Sequence, residues 1–246
     1  MRLLTLCPSL TETVFDLGCG ADLIGRTKFC VHPADRVAEL PVVGGTKDPR
    51  LDSILDLSPD LVLMNREENR SEDAEALRAA GVEVADWMPR DPAETAVMVR
   101  EMGGRIGAAG AAERIAQEIE AAAAEAASAA PARAPSFVYL IWRGPYMAVG
   151  QDTFISRMLE VAGARNALGG EERYPTLEPE QLARLDPELV LLSSEPFPFG
   201  DKHVPEFTGA TGLPAERCRL VDGELLSWHG SRTPAGLRYA SGLVGP

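Results

Sequence analysis

Aromatic and arginine side chains are concentrated in the loops that follow the predicted strands. Rings and guanidinium groups on loops, rather than on apolar helix faces, suit a flat or conjugated ligand that carries carboxylates or amides. The alternative is that Trp142 and Trp228 cap the sheets and that Arg143 and Arg232 are solvated. The predicted ligand-binding residues are Phe29, Lys47, Arg66, Trp142, Arg143, Tyr146, Phe199, Trp228, His229 and Arg232.

Cysteine and histidine side chains form a second candidate site, for a metal ion. Cys30 and His32 lie two residues apart, and His203 could join them from the second half of the chain. Structural zinc normally takes four ligands, so this predicted set is incomplete by itself. His203 and His229 could instead supply an axial ligand to the metal of a bound tetrapyrrole, or each could be an ordinary polar loop residue. The four cysteines show no CxxC spacing and are expected to be free thiols.

The sequence carries no recognisable catalytic motif. The segment 44–47 lacks the glycine spacing of a Walker loop, and no GxSxG occurs. The paired carboxylates Glu67-Glu68 and Glu171-Glu172 lie in polar runs and are expected to be solvated. The sequence therefore offers no candidate catalytic residues.

The charge of the chain excludes several partners. Its 246 residues include 24 Lys and Arg against 37 Asp and Glu, which gives a net charge of −13. A nucleic-acid site needs a basic face, and an anionic membrane surface also attracts basic segments. A bilayer-spanning helix needs about 18 consecutive apolar residues, and the sequence has no such run. The charge and the absence of such a run therefore argue against nucleic acid and membrane partners, which leaves the small-molecule ligand suggested by the loop residues.

Short apolar runs alternate with helical stretches along the chain, which predicts an α/β fold with mainly parallel strands. Ser9 or Thr11 is the expected cap of the first helix. Leu57-Ser-Pro-Asp-Leu-Val-Leu63 is echoed by Leu185-Asp-Pro-Glu-Leu-Val-Leu191, in each case as a helix end, a proline turn, an acid and a buried strand. We therefore predict two Rossmann-like lobes of similar architecture.

An alanine-rich stretch separates the two halves. Alanine favours helix, and the prolines at 131 and 135 end the run. The predicted organisation is an N-terminal α/β lobe over 1–90, a helical linker over 91–135 with a long rigid helix at about 111–129, and a C-terminal α/β lobe over 136–246. Parallel sheets bind ligands at the carboxyl ends of their strands, so we expect the ligand in a cleft between the lobes.

The order of these motifs resembles the iron-siderophore and vitamin B12 substrate-binding proteins of ABC importers, also called helical-backbone metal receptors. The resemblance is closest to the cobalamin-binding branch. It is carried by Pro8–Glu12, Leu57–Val62, the alanine-rich helix, Trp142–Met147, Gly150–Thr153, Leu192–Pro196, Val221–Glu224 and Ser227-Trp228.

This resemblance implies the class III periplasmic-binding-protein fold and a monomer that holds a corrinoid, such as cobalamin, or a ferric chelate. It thus implies a binding protein rather than an enzyme, with no required cofactor. In that family, acids on the top of each lobe dock onto arginines of an ABC permease. Glu180 matches the docking position of the second lobe. In the first lobe the matching position falls at Ser71, and Glu72 is the adjacent acid.

Two alternatives stay open from the sequence. One is a cytoplasmic protein or enzyme that handles a metal or tetrapyrrole cofactor through Cys30, His32 and His229. The other is a zinc or manganese receptor, which the scattered histidines fit poorly. The sequence shows no signal peptide, so a cytoplasmic location is expected as it stands, and a periplasmic or extracellular one if a leader was removed.

Overall fold

The computed structural model describes residues 1–245, and its contacts divide the chain into two compact units. Unit 1 comprises Met1–Pro89, Ala93–Glu118 and His229–Arg232. Unit 2 comprises Arg90–Pro92, Ile119–Trp228 and the segment from Thr233 onward. Pro246, the last residue of the expected C-terminal lobe, lies outside the described residues.

Unit 1 is built on a four-stranded parallel sheet with the strand order β2-β1-β3-β4. Its core packs Leu4 and Leu6 against Val62, Met64 and Ile54. The elements are β1 (Leu3–Thr5), α1 (Pro8–Asp16), β2 (Leu23–Arg26), α2 (Ala34–Val37), α3 (Leu51–Asp56), β3 (Leu61–Asn65), α4 (Ser71–Ala79), β4 (Glu83–Trp87) and α5 (Pro92–Arg105), followed by α6 (Ala109–Ser128).

The helix α1 begins earlier than the sequence predicts. Its N-cap is Cys7, with Pro8 in the first turn and no side-chain cap. The expected caps, Ser9 and Thr11, are instead buried inside the helix. Proline is well placed at this position because the first backbone amides of a helix have no helical partner.

Unit 2 contains a mixed sheet in which β10, β9 and β5 are parallel, whereas β6 and β8 add antiparallel strands. Both faces of β5 are covered, so its residues are apolar almost without a break. The elements are β5 (Ser136–Trp142), β6 (Tyr146–Ala148), α7 (Phe154–Val161), β7 (Arg165–Asn166), β8 (Thr176–Leu177), α8 (Pro179–Leu185), β9 (Leu189–Ser193), α9 (His203–Thr211), β10 (Cys218–Val221), α10 (Gly223–Ser227) and α11 (Thr233–Val244).

The sequence echo corresponds to a repeated structure. Ser58 and Asp186, at matching positions before the proline, both adopt positive φ, at 47° and 44°. In unit 1 the Asp60 carboxylate accepts the backbone N–H of Arg2 at 2.7 Å. In unit 2 the Glu188 carboxylate accepts the backbone N–H of Ser136 at 3.0 Å. Each acid therefore ties its own strand, β3 or β9, to the start of the neighbouring strand, β1 or β5.

The predicted α/β class with two lobes is confirmed. The long alanine-rich helix is α6, and it begins after Gly107, which has a φ of 77°. The contact-based units divide this helix between Glu118 and Ile119, so residues 93–118 pack with unit 1. The sequence predicts that these residues belong to a linker over 91–135. They lie in unit 1 instead, and α5 contributes buried residues such as Val99 and Met102 to the core.

We expect Ser58→Gly to stabilise the protein by up to about 1 kcal/mol, because glycine adopts positive φ without the clash of a Cβ. Ser53→Gly is the matched control, since it lies inside α3 and should lose about 0.5–1 kcal/mol. Urea unfolding of both variants measures the difference. Equal destabilisation by the two substitutions would contradict the argument.

Candidate functional site

Two asparagines organise the loops at the carboxyl end of the unit 1 sheet. Asn65, the last residue of β3, uses its Oδ1 to accept the backbone N–H groups of Glu67 and Glu68, at 2.7 and 3.2 Å. The Nδ2 of Asn69 donates to the carbonyls of Leu6 and Thr46, both at 2.9 Å. Both asparagines are buried, so the loops after β1 and β3 are held by satisfied, uncharged groups.

His229 belongs to this network in unit 1. Because the Oδ1 of Asn65 is already an acceptor, its Nδ2 is the group that donates to Nε2 of His229, at 2.5 Å. The Nε2 atom is therefore an acceptor and the proton lies on Nδ1. Burial lowers the pKa of His229 to about 4, so the ring is neutral at pH 7. The Ser9 Oγ lies 3.4 Å from both ring nitrogens.

The residues after His229 are anchored to α1. Arg232 donates to both carboxylate oxygens of Glu12, at 2.8 and 2.6 Å. The Ser231 backbone N–H donates to Oγ1 of Thr13 at 3.1 Å. Gly230 has a φ of 94°, and a Cβ there would lie 2.2 Å from the Thr13 hydroxyl. His229 and Arg232, both expected to bind ligand, thus already have partners within unit 1.

The buried cysteines of unit 1 do not present thiolates. Burial, together with the charge of Glu68, raises the pKa of Cys7 to about 12. Burial also raises the pKa of Cys30, whose Sγ lies 3.2 Å from the Thr27 hydroxyl. All four cysteines of the sequence are free thiols. Since only the thiolate is a strong nucleophile or metal ligand, neither buried cysteine is activated for chemistry.

The remaining unit 1 residues of the predicted ligand set lie around two neighbouring loops. The Lys47 ammonium donates to the carbonyl of Glu67 at 2.7 Å, beside Arg66. Phe29 has 49% of its surface exposed and lies under the Lys28 ammonium, 5.0 Å from the ring centroid. Arg66 lines a cavity of about 390 Å³ together with Arg70. Lys47 and Arg66 are therefore close together and exposed.

In unit 2, four side chains meet around Phe197. Its ring packs edge-on against Trp142 at 5.6 Å, Phe199 at 4.9 Å and His203 at 5.2 Å. The guanidinium of Arg143 lies 6.0 Å from the same ring centroid. Trp142 is 42% exposed, so the cluster has an accessible aromatic edge. We call Phe197 and these four neighbours the Phe197 cluster.

The polar members of the Phe197 cluster already have partners. Arg143 forms an ion pair with Glu206. The Nδ1 of His203 accepts the backbone N–H of Gly200 at 2.8 Å, which leaves the proton of the neutral ring on Nε2. A metal-bound imidazole usually donates through its other nitrogen, so this hydrogen bond opposes ligation by His203.

The predicted metal ligands do not form a metal centre. Among residues 1–245, no three His, Cys, Asp or Glu side chains are grouped so that they could hold a metal ion. Cys30 is protonated and buried, and His203 has its Nδ1 occupied. His32 is half-buried in unit 1.

Trp228 and Tyr146 also lie in unit 2. Trp228 is only 8% exposed, and its Nε1 donates to the Glu195 carboxylate at 3.0 Å. Tyr146 packs edge-on against Phe207 at 5.5 Å, and it lines a cavity of about 270 Å³ with Arg143. The structure thus brings Trp142, Arg143 and Phe199 together around Phe197, whereas the ring of Tyr146 packs against Phe207.

The two predicted docking acids occupy non-equivalent helices. Glu180 lies exposed in the first turn of α8, whereas Glu72 lies exposed in the first turn of α4. The helix that corresponds to α8 in unit 1 is α3, since each precedes the proline turn of the repeat. Asp52, exposed in α3, stands five residues before Leu57, as Glu180 stands five before Leu185. The counterpart of Glu180 is therefore Asp52 and not Glu72.

Sequence reasoning missed several residues that organise these surfaces. Asn65 ends β3 and Asn69 follows it, whereas Glu195 and Phe197 follow β9. The pattern Glu-Pro-Phe-Pro-Phe at 195–199 was a usable signal, because two further rings follow a buried strand. Asp52 could have been found by aligning the two copies of the repeat.

Comparison with known proteins identifies the class of this chain. Residues 4–217 match the model of a periplasmic binding protein family, and the chain belongs to that family. Membership identifies it as a binding protein rather than an enzyme, in agreement with the sequence prediction. No helix within residues 1–245 is long and apolar enough to cross a membrane.

Individual relatives share only about a quarter of their residues or fewer with this chain. A cobalamin-binding protein of Halobacterium salinarum is 27% identical over 198 residues, which cover 77% of this chain and 53% of that protein. The chain therefore spans about half the length of that relative. A periplasmic heme-binding protein from Pseudomonas aeruginosa superposes with a TM-score of 0.86 at 25% identity, covering 100% of this chain and 92% of the other. The vitamin B12-binding protein BtuF of Vibrio cholerae superposes with a TM-score of 0.82 at 19% identity, covering 99% of this chain and 96% of the other. This likeness concerns the fold alone, and it confirms the predicted class III periplasmic-binding-protein fold.

We predict that the free energy of unfolding decreases as the pH falls from 6.5 towards 4. In the unfolded chain His229 takes up a proton near its ordinary pKa of 6.5, whereas the folded protein takes it up only near pH 4. The unfolded state therefore binds more protons in this window, and the loss reaches about 3 kcal/mol. Denaturant unfolding at pH 7, 5.5 and 4.5 measures it.

His229→Gln is the control for this prediction. Glutamine can still accept the Asn65 hydrogen bond but does not titrate, so the slope of stability against pH should become smaller in this window. An unchanged slope would show that His229 is not the group responsible.

Proposed function

We propose that this chain is the substrate-binding component of an ABC importer and that it binds a corrinoid such as cobalamin. The Phe197 cluster is the observation that carries the proposal, because an exposed edge of aromatic rings at the carboxyl end of a sheet suits a flat macrocycle. The bound molecule is cargo rather than a cofactor. Such a role places the chain outside the cytoplasmic membrane.

The chemistry of His203 and His229, two of the three histidines, favours a corrinoid over heme as the cargo. Heme iron in proteins is held by an axial side chain such as histidine. In this chain His229 is buried with Nε2 engaged by Asn65, and His203 has Nδ1 engaged by Gly200. Cobalamin carries its own lower axial base and needs no such ligand. The names of the curated relatives, which are cobalamin- and vitamin B12-binding proteins, support the same choice.

The same observations disfavour a cytoplasmic enzyme that would use Cys30, His32 and His229. That function needs a thiolate or an accessible imidazole. Burial raises the pKa of the Cys30 thiol and lowers that of the His229 ring, so both groups are neutral and shielded at pH 7.

We further propose that Asp52 and Glu180 are the pair that docks onto the permease. Both are exposed in the first turn of helices that occupy equivalent places in the two copies of the repeat. One exposed acid on each unit would give two contacts with a basic surface of the permease. Glu72 is not part of this pair because α4 has a different place in the repeat.

The ligand is tested by titrating the protein with hydroxocobalamin and, separately, with hemin, while tryptophan fluorescence and visible absorbance are recorded. We expect hydroxocobalamin to bind. Trp142→Ala should weaken its binding by about 1.5–3 kcal/mol, a tenfold to hundredfold change, because the contact between the indole ring and the ligand is lost. Trp142→Phe, which keeps a ring, should retain most of the affinity.

Trp87→Phe is the fluorescence control, because Trp87 lies on β4 and donates to Glu101. It should change the signal and leave the affinity unchanged. If neither hydroxocobalamin nor hemin binds at micromolar concentration, the tetrapyrrole proposal is overturned. If hemin binds more tightly than hydroxocobalamin, the choice of a corrinoid is overturned.

The docking pair is tested by charge reversal. We expect Asp52→Lys and Glu180→Lys each to reduce cobalamin uptake by the importer several-fold, because like charges would face one another at the contact. Glu72→Lys is the matched control, and uptake should continue. Ligand affinity, measured on the free protein, should stay the same in all three variants. Loss of uptake with Glu72→Lys alone would contradict the assignment.

A further inference from the structure

The loop at residues 195–199, between β9 and α9 of unit 2, contacts both tryptophans of that unit. Glu195 reaches Trp228 at one end of the loop, and Phe197 reaches Trp142 near its middle. The two tryptophans lie far apart in sequence, on the end of β5 and after α10. A single short loop therefore touches both of the largest rings in unit 2.

At the Glu195 end, one carboxylate oxygen accepts two hydrogen bonds. The Oε1 of Glu195 receives the Ser227 hydroxyl at 2.6 Å and the Trp228 indole N–H at 3.0 Å. The loop is itself held to β9, because the Ser193 hydroxyl donates to the Glu195 carbonyl at 2.6 Å. Indole has a single N–H donor, so this bond fixes the orientation of the Trp228 ring.

The position of Glu195 is reinforced by a close approach of the backbone. A Cβ on Gly223, the first residue of α10, would lie 2.5 Å from Cγ of Glu195. The Gly223 N–H donates to the hydroxyl of Ser194 at 2.9 Å. Glycine at 223 thus lets α10, and the tryptophan that follows it, pack directly on the loop.

At the Phe197 position, the contact is between rings. Phe197 meets Trp142 at an interplanar angle of 71°, so the edge of one ring points at the face of the other. Phe199 and His203 also pack against Phe197, at interplanar angles of 66° and 67°. Trp142 is therefore restrained while 42% of it is exposed.

We propose that Glu195 and Phe197 are positioning residues that set the orientation of Trp228 and Trp142 for a flat, conjugated ligand. The proposal rests on the proposed function for its ligand and on the geometry of the 195–199 loop for its residues. Glu195 acts through the indole N–H of Trp228, and Phe197 acts through the ring of Trp142.

Double-mutant cycles test this role, with hydroxocobalamin as the probe. Phe197→Leu and Glu195→Ala should each weaken binding about tenfold, the effect of losing one aromatic or charged hydrogen-bond contact. The Phe197→Leu effect should disappear in a Trp142→Ala background, and the Glu195→Ala effect should disappear in a Trp228→Phe background, which lacks the indole N–H. Glu195→Gln keeps an acceptor oxygen and should rescue most of the affinity.

Controls separate positioning from loss of stability. Phe154→Leu removes a half-buried ring from α7, and Glu216→Gln changes an exposed acid, and neither should alter the affinity. The near-ultraviolet circular dichroism and the emission maximum of the ligand-free protein should change in Phe197→Leu and Glu195→Ala, but not in Glu216→Gln.

The outcomes distinguish this inference from the proposed function. Additive effects in the two cycles, or unchanged tryptophan signals in the ligand-free variants, would overturn the positioning role. If the wild-type chain does not bind hydroxocobalamin, the proposed ligand is wrong, and the ligand-free signals still decide whether the loop holds the two tryptophans.

Discussion

A carboxylate that binds a backbone amide sets the framework of each unit. Asp60 in unit 1 and Glu188 in unit 2 follow a proline turn and accept the N–H at the start of the adjacent strand. Each bond ties two parallel strands in one register, Leu3 beside Leu61 and Phe137 beside Leu189. Because parallel strands end at the same edge, this register also decides which loops meet at their carboxyl ends.

The loops that meet at those ends differ in character between the units. Unit 1 places an uncharged hydrogen-bond network there, in which Asn65 and a neutral His229 satisfy one another. Unit 2 places rings there, with Phe197 in contact with Trp142. A buried polar network costs free energy unless each group has a partner, so the first arrangement rigidifies its loops. The second leaves an aromatic edge for a ligand.

Several features of the fold could be predicted from particular residues. The Leu57–Leu63 and Leu185–Leu191 echo predicted two related units, and both copies share the positive φ before proline. The prediction of Glu72 as the docking acid of unit 1 rests on its acidic side chain beside Ser71. The repeat itself indicates Asp52, since the place of a helix in the topology, and not the local charge, makes two positions equivalent.

The sequence by itself determined the α/β class, the repeat, the acidic charge and the family resemblance, because periodicity and composition are local properties of the chain. Only the tertiary structure decided the state of the chemical groups. Burial makes Cys30 a neutral thiol, the Asn65 amide makes Nε2 of His229 an acceptor, and Glu12 engages Arg232. These outcomes depend on partners distant in sequence, and therefore no local pattern could reveal which polar side chains stay available for a ligand.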